Sequence, residues 1–378
     1  MARHREKAHS ARNQERQRED MQPGESRQIE ILRVLCITAM MWVHVNPGLS
    51  TPTIVSTGDY WLIGAVLGNT LGRISVSLLS FVSGYLIWDT LRQETFGRLA
   101  LRRFRTVMIP MLVWSAIFLI LASAKEALTG DDADAIARLH LRPWPLFNAW
   151  SGVAGPTANQ SLFFLRDLFV ATLILHAALP LIERVPVLAA LAILVVTAND
   201  TLAPVIFRSS ILQFLFFGAI SARLGYTIAG LSRPLVALSL GYLMTVTGYA
   251  AVGDPGIPEL QVLHLSHLLQ RAGVGFLLLA YAAAFLALFP RTEVATLGRH
   301  AFLAYLMHVP LNGILWVIWR ALVGDGDQTS YLIFYLGAPV AVFVIASGLG
   351  RFLDRAPPML QLLLRGKSGD AMRNDPPD

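Results

Sequence analysis

The most constraining feature of the sequence is a series of ten apolar segments that follow one another from residue 29 to residue 350. A helix that crosses the hydrocarbon core of a bilayer needs roughly 20 predominantly apolar residues, and most of the segments reach that length. This pattern predicts an all-α, polytopic integral membrane protein with about ten transmembrane helices. The segments are 29–48, 72–91, 105–124, 161–182, 186–199, 208–224, 234–252, 265–289, 300–322 and 329–350.

The composition agrees with a membrane location. Charged residues make up 15% of the chain, whereas an average soluble domain contains about 25%. The net charge of +6 does not indicate a nucleic-acid partner, because most of the basic residues lie in tails and short loops, where membrane proteins carry them to set their orientation. The single cysteine, Cys36, excludes a disulfide framework and a cysteine-ligated metal cluster.

The loop charges predict the orientation and the domain boundaries. Every second loop is rich in arginine, whereas the alternating loops lean acidic, so both termini are expected in the cytoplasm. Residues 1–28 mix both signs and are predicted to form a disordered cytoplasmic tail. The transmembrane domain is predicted at 29–352 and a cytoplasmic C-terminal tail at 353–378. The stretch 60–70 is interpreted either as an interfacial helix or as an outward extension of the second span.

The first apolar segment carries three ionisable residues, Glu30, Arg33 and His44. Arg33 and His44 are 11 positions apart, which is three helical turns plus about 20°, so they share a face and lie about 16 Å apart along the axis. Glu30 is three positions before Arg33 and can pair with it. An ionisable group in a span costs about 2.5–3.5 kcal/mol. Either these residues line a polar cavity, or Glu30 and Arg33 form an interfacial anchor and His44 is a buried structural histidine.

This arrangement, EILRVLCITAMMWVH at 30–44, resembles the first span of the acyltransferase family 3 membrane proteins. In the fourth segment, Phe163 stands where the family more often has tryptophan, and Arg102 and Arg105 fit the family's Arg-x-x-Arg loop. The resemblance covers about residues 28–350. The other matching segments, in the family's order, are SLLSFVSGYLIW at 77–88, RRFRTVMIP at 102–110, SLFFLRDLFVATLI at 161–174, QFLFFGAISARLG at 213–225 and LGRHAFLAYLMHVP at 297–310.

The resemblance implies a membrane O-acyltransferase that takes an acyl group, most simply acetyl, from acyl-CoA. The expected acceptor is a hydroxyl group of a glycan, polysaccharide or glycolipid at the cell envelope. Acyl-CoA is a substrate, so no permanently bound cofactor is expected. The implied location is the cell inner membrane, as a multi-pass protein in contact with lipid.

Transfer from a thioester to a hydroxyl needs a base, donors for the developing oxyanion and cations for the phosphates of CoA. Histidine titrates near neutral pH, so His44 is the predicted base and His308 a second proton-transfer or acceptor-orienting group. The predicted catalytic residues are Glu30, Arg33, His44 and His308. The predicted donor-binding residues are Arg102, Arg103 and Arg105. For these three arginines, the orientation rule alone is an equally good explanation.

Acceptor-binding residues are predicted on the outer half of the bundle. Arg166 and Asp167 are neighbours in a helix and point about 100° apart, so each is expected to pair with another helix rather than with the other. Tyr305 shares a face with His308, either as part of the site or as a packing residue. His267 lies on one face with His264, but a third ligand is missing, so no metal site is expected. The predicted acceptor-binding residues are Arg166, Asp167, Tyr305 and His267.

A different class of function also fits intramembrane charges. His44, His308 and Arg33 could serve a polytopic secondary transporter as proton or anion sites, and a lipid-linked sugar flippase is a third interpretation. The ordered motif matches favour the enzyme. The two halves of the chain also lack a matched pair of broken spans, which is the usual sequence sign of a transporter.

Overall fold

In a computed structural model, the described residues are 23–45, 61–129, 142–197, 202–253, 265–290, 293–324 and 328–366. All regular secondary structure in these ranges is helical. The elements of the first half are α1 (Pro23–Val43), α2 (Trp61–Gly64), a first π-helix (Ala65–Gly72), α3 (Arg73–Gln93), α4 (Phe96–Arg103), a second π-helix (Phe104–Met108), α5 (Ile109–Thr129), α6 (Pro143–Ser151), a 3₁₀ turn (Gln160–Leu162) and α7 (Phe163–Ala177). Those of the second half are α8 (Leu179–Arg184), α9 (Pro186–Val196), α10 (Ser209–Arg223), α11 (Ile228–Leu231), α12 (Pro234–Gly253), α13 (Leu265–Leu288), α14 (Val294–Val323), α15 (Gln328–Leu353) and α16 (Pro358–Arg365).

Each predicted apolar segment coincides with a helix in the described part of the chain, and the multi-pass character of the protein is confirmed. Among the described residues, six helical stretches are long and apolar enough to cross a membrane, while the count of ten spans stays a prediction. The surface supports a lipid environment, since Leu235, Val195 and Val344 are 82%, 72% and 67% exposed. The six stretches are Leu62–Gln93, Phe96–Glu126, Gln160–Ala177, Leu265–Leu288, Thr296–Val323 and Thr329–Leu353.

The first helix begins earlier than the sequence predicted. It starts at Pro23, whereas residues up to 28 were expected to belong to the tail. Glu25 and Gln28 are both buried. The Glu25 carboxylate accepts a hydrogen bond from the backbone N–H of Ile228 at 2.7 Å, and the Gln28 amide donates to Ser232 Oγ at 2.6 Å. Partners from distant parts of the chain therefore satisfy these polar groups, which local composition does not reveal.

The stretch 60–70 is an extension of the second span in its described part. α2, the first π-helix and α3 run on into one another as the helical stretch Leu62–Gln93. The first π-helix packs closely on the end of α1, because a Cβ atom at Gly72 would overlap Val43 and the carbonyl oxygen of Ala39. The Arg-rich corner after α4 also contains a π-helix. Such irregular turns are frequent at functional sites.

Glycines permit the closest helix contacts of the bundle. α3 and α10 approach so tightly that a Cβ at Gly84 would overlap the backbone of Leu215, and one at Gly218 would overlap the carbonyl of Phe81. α12 and α13 meet in the same way at Gly273, where a Cβ would collide with Thr245. Small residues that let backbones approach are typical of helix contacts in membranes.

The C-terminal segment contains a further helix, although it was predicted to be a tail from residue 353. α16 packs against α5, where the Trp114 indole N–H donates to the Leu364 carbonyl at 3.0 Å. Residues 367–378 lie outside the described ranges. α14 is the axis on which the polar side chains are arranged, since α1, α5, α15 and α16 all contact it.

Candidate active site

The start of α14 lies beside an ion pair on α1. Arg33 Nη1 and Glu30 Oε1 are 2.5 Å apart, with side chains 37% and 29% exposed. The Glu30 carboxylate rests on Gly298, where a Cβ would overlap it. Its other oxygen, Oε2, is buried and has no hydrogen-bond partner in the described part of the chain. The Glu30 carboxylate therefore packs directly on the backbone of α14, and only glycine fits at position 298 without displacing it.

His44 lies at the other end of α1, about 16 Å from Arg33 along the axis. It follows the last turn, where its backbone N–H donates to the Met41 carbonyl at 2.8 Å. Its imidazole ring meets that of His308, with ring centroids 5.3 Å apart and planes tilted by 56°. The structure thus brings His44 and His308 together, whereas Glu30 and Arg33 occupy a different level of the bundle.

His308 has a defined hydrogen-bonding state. Its side chain is completely buried, and Nδ1 faces the Tyr305 carbonyl. A carbonyl only accepts, so Nδ1 carries the proton, and in the neutral ring Nε2 is left with a lone pair. Nε2 is buried and without a partner in the described residues, and so is Oδ1 of Asn312, one helical turn further along. The Asn312 amide donates to the His44 carbonyl at 3.4 Å. We call His44 and His308 the histidine pair. Nε2 of His308 and Oδ1 of Asn312 are both hydrogen-bond acceptors.

Tyr305 supports the histidine pair by packing. Its hydroxyl donates to the Ser161 carbonyl, which ties α14 to the 3₁₀ turn before α7. Its ring lies edge-on to Phe164 at 5.9 Å between centroids and 5.7 Å from the ring of His308. The donor hydrogen of Tyr305 therefore already has a partner within the protein, and the predicted contact with the acceptor stays a prediction.

Arg166 and Asp167 form a clamp at the start of α7. The expectation that they would pair only with other helices is wrong, because Arg166 Nη1 donates to Asp167 Oδ1 at 2.8 Å. The long arginine side chain folds back to its neighbour while its remaining N–H groups reach the carbonyls of Pro204 and Val205, each at 2.5 Å. The second oxygen of Asp167 accepts the backbone N–H groups of Phe207 and Arg208 at 3.0 and 2.9 Å.

Two arginines near the histidine pair were not found from the sequence. The charges of Arg208 and Arg73 both act on His44. Arg208 is positioned by the clamp through its backbone, and its guanidinium lies over the ring of Phe163 at 5.1 Å. Arg73 is the first residue of α3. Both lie at the start of apolar segments, at the ends predicted to face outward, where the orientation rule does not call for basic residues. That exception is the signal that could have identified them.

The predicted donor-binding arginines lie at the corner between α4 and the second π-helix. Arg102 Nε donates to Glu94 Oε2 at 3.1 Å, but its Nη2 is buried without a partner in the described part of the chain, as is Nε of Arg103. Arg105 is exposed. We call these three residues the arginine corner. Two of them hold N–H groups that a bound anion would satisfy.

The remaining predicted acceptor residue, His267, is exposed in the first turn of α13. Its companion His264 lies outside the described residues. Within the described ranges, His, Cys, Asp and Glu residues form no group of three or more that could hold a metal ion.

Comparisons with known proteins agree with one another. The family model described as "Acyltransferase domain" matches residues 26–350. A curated relative, the succinoglycan biosynthesis protein ExoH of Rhizobium meliloti (strain 1021), is 30% identical over an aligned length of 374, and the match covers 94% of this chain and 97% of the relative. No solved structure matches the chain.

Proposed function

The chain belongs to the acyltransferase family 3 of membrane proteins, and from that premise we propose that it transfers an acyl group, most simply acetyl, from acyl-CoA to a hydroxyl group of an envelope polysaccharide or glycolipid. Membership of the family makes it an enzyme and a transferase, which displaces the transporter and flippase interpretations. A glycan acceptor is suggested by the relative, whose name assigns it to the biosynthesis of succinoglycan.

The observation that carries the proposal is the histidine pair, whose ring centroids lie 5.3 Å apart. A buried polar atom without a partner costs about 1–3 kcal/mol, and among the described residues Nε2 of His308 and Oδ1 of Asn312 are two such atoms. A bound glycan, which is rich in hydroxyl groups, would donate hydrogen bonds to these two atoms.

In the proposed reaction His44 is the base. It accepts the proton of the acceptor hydroxyl while the hydroxyl oxygen attacks the thioester carbonyl carbon. The C–O bond forms, the C–S bond breaks, and His44 returns its proton to the departing CoA thiolate. His308 is proposed to orient the acceptor, because its Nε2 can accept a hydrogen bond from a second hydroxyl group of the glycan. The charges of Arg208 and Arg73 act on this location and favour the negative oxygen of the tetrahedral intermediate.

The donor is proposed to enter from the other end of α14, where Gly298 contacts Glu30. Gly298 and His308 are ten residues apart on α14, about 15 Å along the axis. Phosphates held at that end by Arg33 and the arginine corner leave the extended pantetheine arm to carry the thioester toward the histidine pair. With ten spans and both termini in the cytoplasm, this end faces the pool of acyl-CoA.

The test is transfer by the purified protein in lipid nanodiscs. Radiolabelled acetyl-CoA and an envelope polysaccharide stripped of its acyl groups are incubated together, and label is followed into the polymer. We expect alkali-labile label in the polysaccharide, as an ester requires. Acetyl-CoA that stays intact with every glycan acceptor, under conditions where the protein binds CoA, contradicts the proposed transfer.

A further inference from the structure

The C-terminal helix α16 buries an arginine whose charge is only partly satisfied. Arg365 is 8% exposed. Its Nη1 donates to Asp354 Oδ1 at 2.5 Å and to the Gly350 carbonyl at 3.4 Å, but Nε and Nη2 are buried and have no partner among the described residues. A guanidinium presents its N–H groups as a planar fork that matches phosphate. This residue lies beyond 26–350, where the family match ends.

α16 rests directly on the turn that carries the arginine corner. A Cβ at Gly366 would overlap the carbonyl oxygen of Thr106, and the Thr106 hydroxyl donates to the Arg102 carbonyl at 3.0 Å. The indole of Trp114 fixes the last turn of α16 from the side of α5. The two helical segments in contact therefore carry three arginines that hold a buried N–H group without a partner among the described residues, namely Arg102, Arg103 and Arg365.

The charged side chains around His300 carry a net positive charge. His300 packs against Gly350 so closely that a Cβ there would overlap its ring. The charges that act on His300 are those of Asp354, Arg299, Arg351 and Arg365, which are three cations against one acid. Asp354 is 41% exposed, and Arg299 and Arg351 are exposed as well, so water screens these three charges, whereas Arg365 is buried. An anion bound here therefore satisfies both the potential and the open N–H groups.

We propose that Arg365 is a phosphate ligand, and that α16 completes a phosphate-binding site with Arg102 and Arg103. The proposal rests on the proposed function in naming the nucleotide part of acyl-CoA as the source of the phosphate. The same chemistry is offered by the headgroup of an anionic phospholipid. Both sources present oxygen atoms that a planar guanidinium binds through two parallel hydrogen bonds.

The experiment measures binding of adenosine 3′,5′-bisphosphate to the full-length protein in nanodiscs of phosphatidylcholine. This probe carries phosphates but no thioester, so it reports binding separately from transfer. For Arg365→Gln we expect the dissociation constant to rise about tenfold, the loss of one charge-assisted hydrogen-bonded contact. The matched control is Arg355→Gln, which removes the same charge from an exposed residue of the same segment, and we expect a change of less than about twofold.

A second arm separates the two sources of phosphate. Retention of phosphatidylglycerol by the purified protein is compared for the wild type and Arg365→Gln. A loss of lipid with unchanged nucleotide affinity assigns the site to a headgroup, and a loss of nucleotide affinity assigns it to the donor. If both affinities match those of Arg355→Gln, Arg365 is not a phosphate ligand.

A further variant covers the case in which Arg365→Gln does not fold. Asp354→Asn keeps a hydrogen-bond acceptor for Arg365 and removes the competing negative charge, so it is expected to tighten phosphate binding severalfold. Unchanged or weaker binding of both probes overturns the proposal. A protein that transfers acetyl groups with unaltered affinity in these variants refutes the phosphate site alone. One that binds the nucleotide through Arg365 and transfers nothing refutes the proposed function alone.

Discussion

The clamp and the histidine pair both bury polar side chains in an apolar bundle, but they differ in how completely their hydrogen bonds are met. Asp167 receives donors on both oxygens and Arg166 reaches three acceptors within 2.8 Å. In the histidine pair, by contrast, Nε2 of His308 lacks a partner in the described residues. Satisfied groups of this kind hold structure together, whereas open ones are available to a substrate.

The largest effect is expected at the histidine pair. His44→Gln keeps the approximate size and hydrogen bonding of the side chain but cannot accept a proton near pH 7, so transfer is expected to fall by about 10²–10⁴-fold. The rate is measured at saturating acetyl-CoA, with nucleotide binding as the check that the variant is folded.

His176→Gln is the matched control for that substitution. The Nε2 atom of His176 is 3.0 Å from the Glu94 carbonyl, a contact that a glutamine amide can replace, so its transfer rate is expected to match the wild type. If His44→Gln retains most of the activity, His44 is structural and the base must be sought elsewhere, first at His308.

A substitution in the clamp is expected to lower the stability of the protein rather than to act on the chemical step directly. Asp167→Asn leaves the buried Arg166 without its counter-charge, and breaking a buried pair in this way typically costs 3–5 kcal/mol. The midpoint of thermal unfolding in detergent is expected to drop sharply. An unchanged midpoint together with lost transfer would return Asp167 to the acceptor-binding role predicted from the sequence.

An exposed ion pair offers the comparison. Arg92 and Glu183 are 3.1 Å apart but 55% and 42% exposed, and such surface pairs contribute about 0–1 kcal/mol. Glu183→Gln is therefore expected to leave the unfolding midpoint nearly unchanged. A loss equal to that of Asp167→Asn would show that burial is not what distinguishes the clamp.

A smaller effect on stability is expected where the Glu30 carboxylate packs against α14. Gly298→Ala would push its methyl group into the Glu30 carboxylate, and overpacking of this kind costs about 1–3 kcal/mol. Gly313→Ala, in the same helix, meets no heavy atom within 4 Å and is expected to be neutral or stabilising by up to about 1 kcal/mol. Thermal unfolding and donor affinity are measured for both. Equal behaviour of the two alanines would mean that the ion pair on α1 moves aside without cost.

The sequence predicts the helices well because runs of apolar residues near the thickness of a bilayer admit little else. It predicts the ends less well, since the first turns of α1 are held by a hydrogen bond that Glu25 accepts from the Ile228 N–H and by one that Gln28 donates to Ser232 Oγ. Composition alone likewise did not reveal α16, whose last turn is fixed by Trp114 of a distant helix.

For the site, spacing predicted which residues share a helix face but not which helices meet. The 5.3 Å approach of His44 and His308 joins residues 264 positions apart. The angle between neighbouring helix positions gave the wrong pairing for Arg166, because its long side chain reaches Asp167 although the two Cβ atoms point in different directions. The three arginines of the corner were proposed together, although their burial and hydrogen bonding are not alike.

The difference in burial and hydrogen bonding between Arg102 and Arg105 leads to the smallest of the expected effects, a change in nucleotide affinity. Arg102 is half-buried, anchored to Glu94 at 3.1 Å, and holds Nη2 without a partner in the described part of the chain, so its fork is already oriented for a phosphate. Arg105 is exposed, and water screens whatever charge it offers. Arg102→Gln is therefore expected to weaken binding of adenosine 3′,5′-bisphosphate by about tenfold. Arg105→Gln is expected to change it by less than about threefold, with the difference shrinking as salt is raised. Equal, small losses in both variants would mean that these arginines serve orientation in the membrane, and equal, large losses would mean that exposed charge, rather than an open buried N–H group, holds the donor.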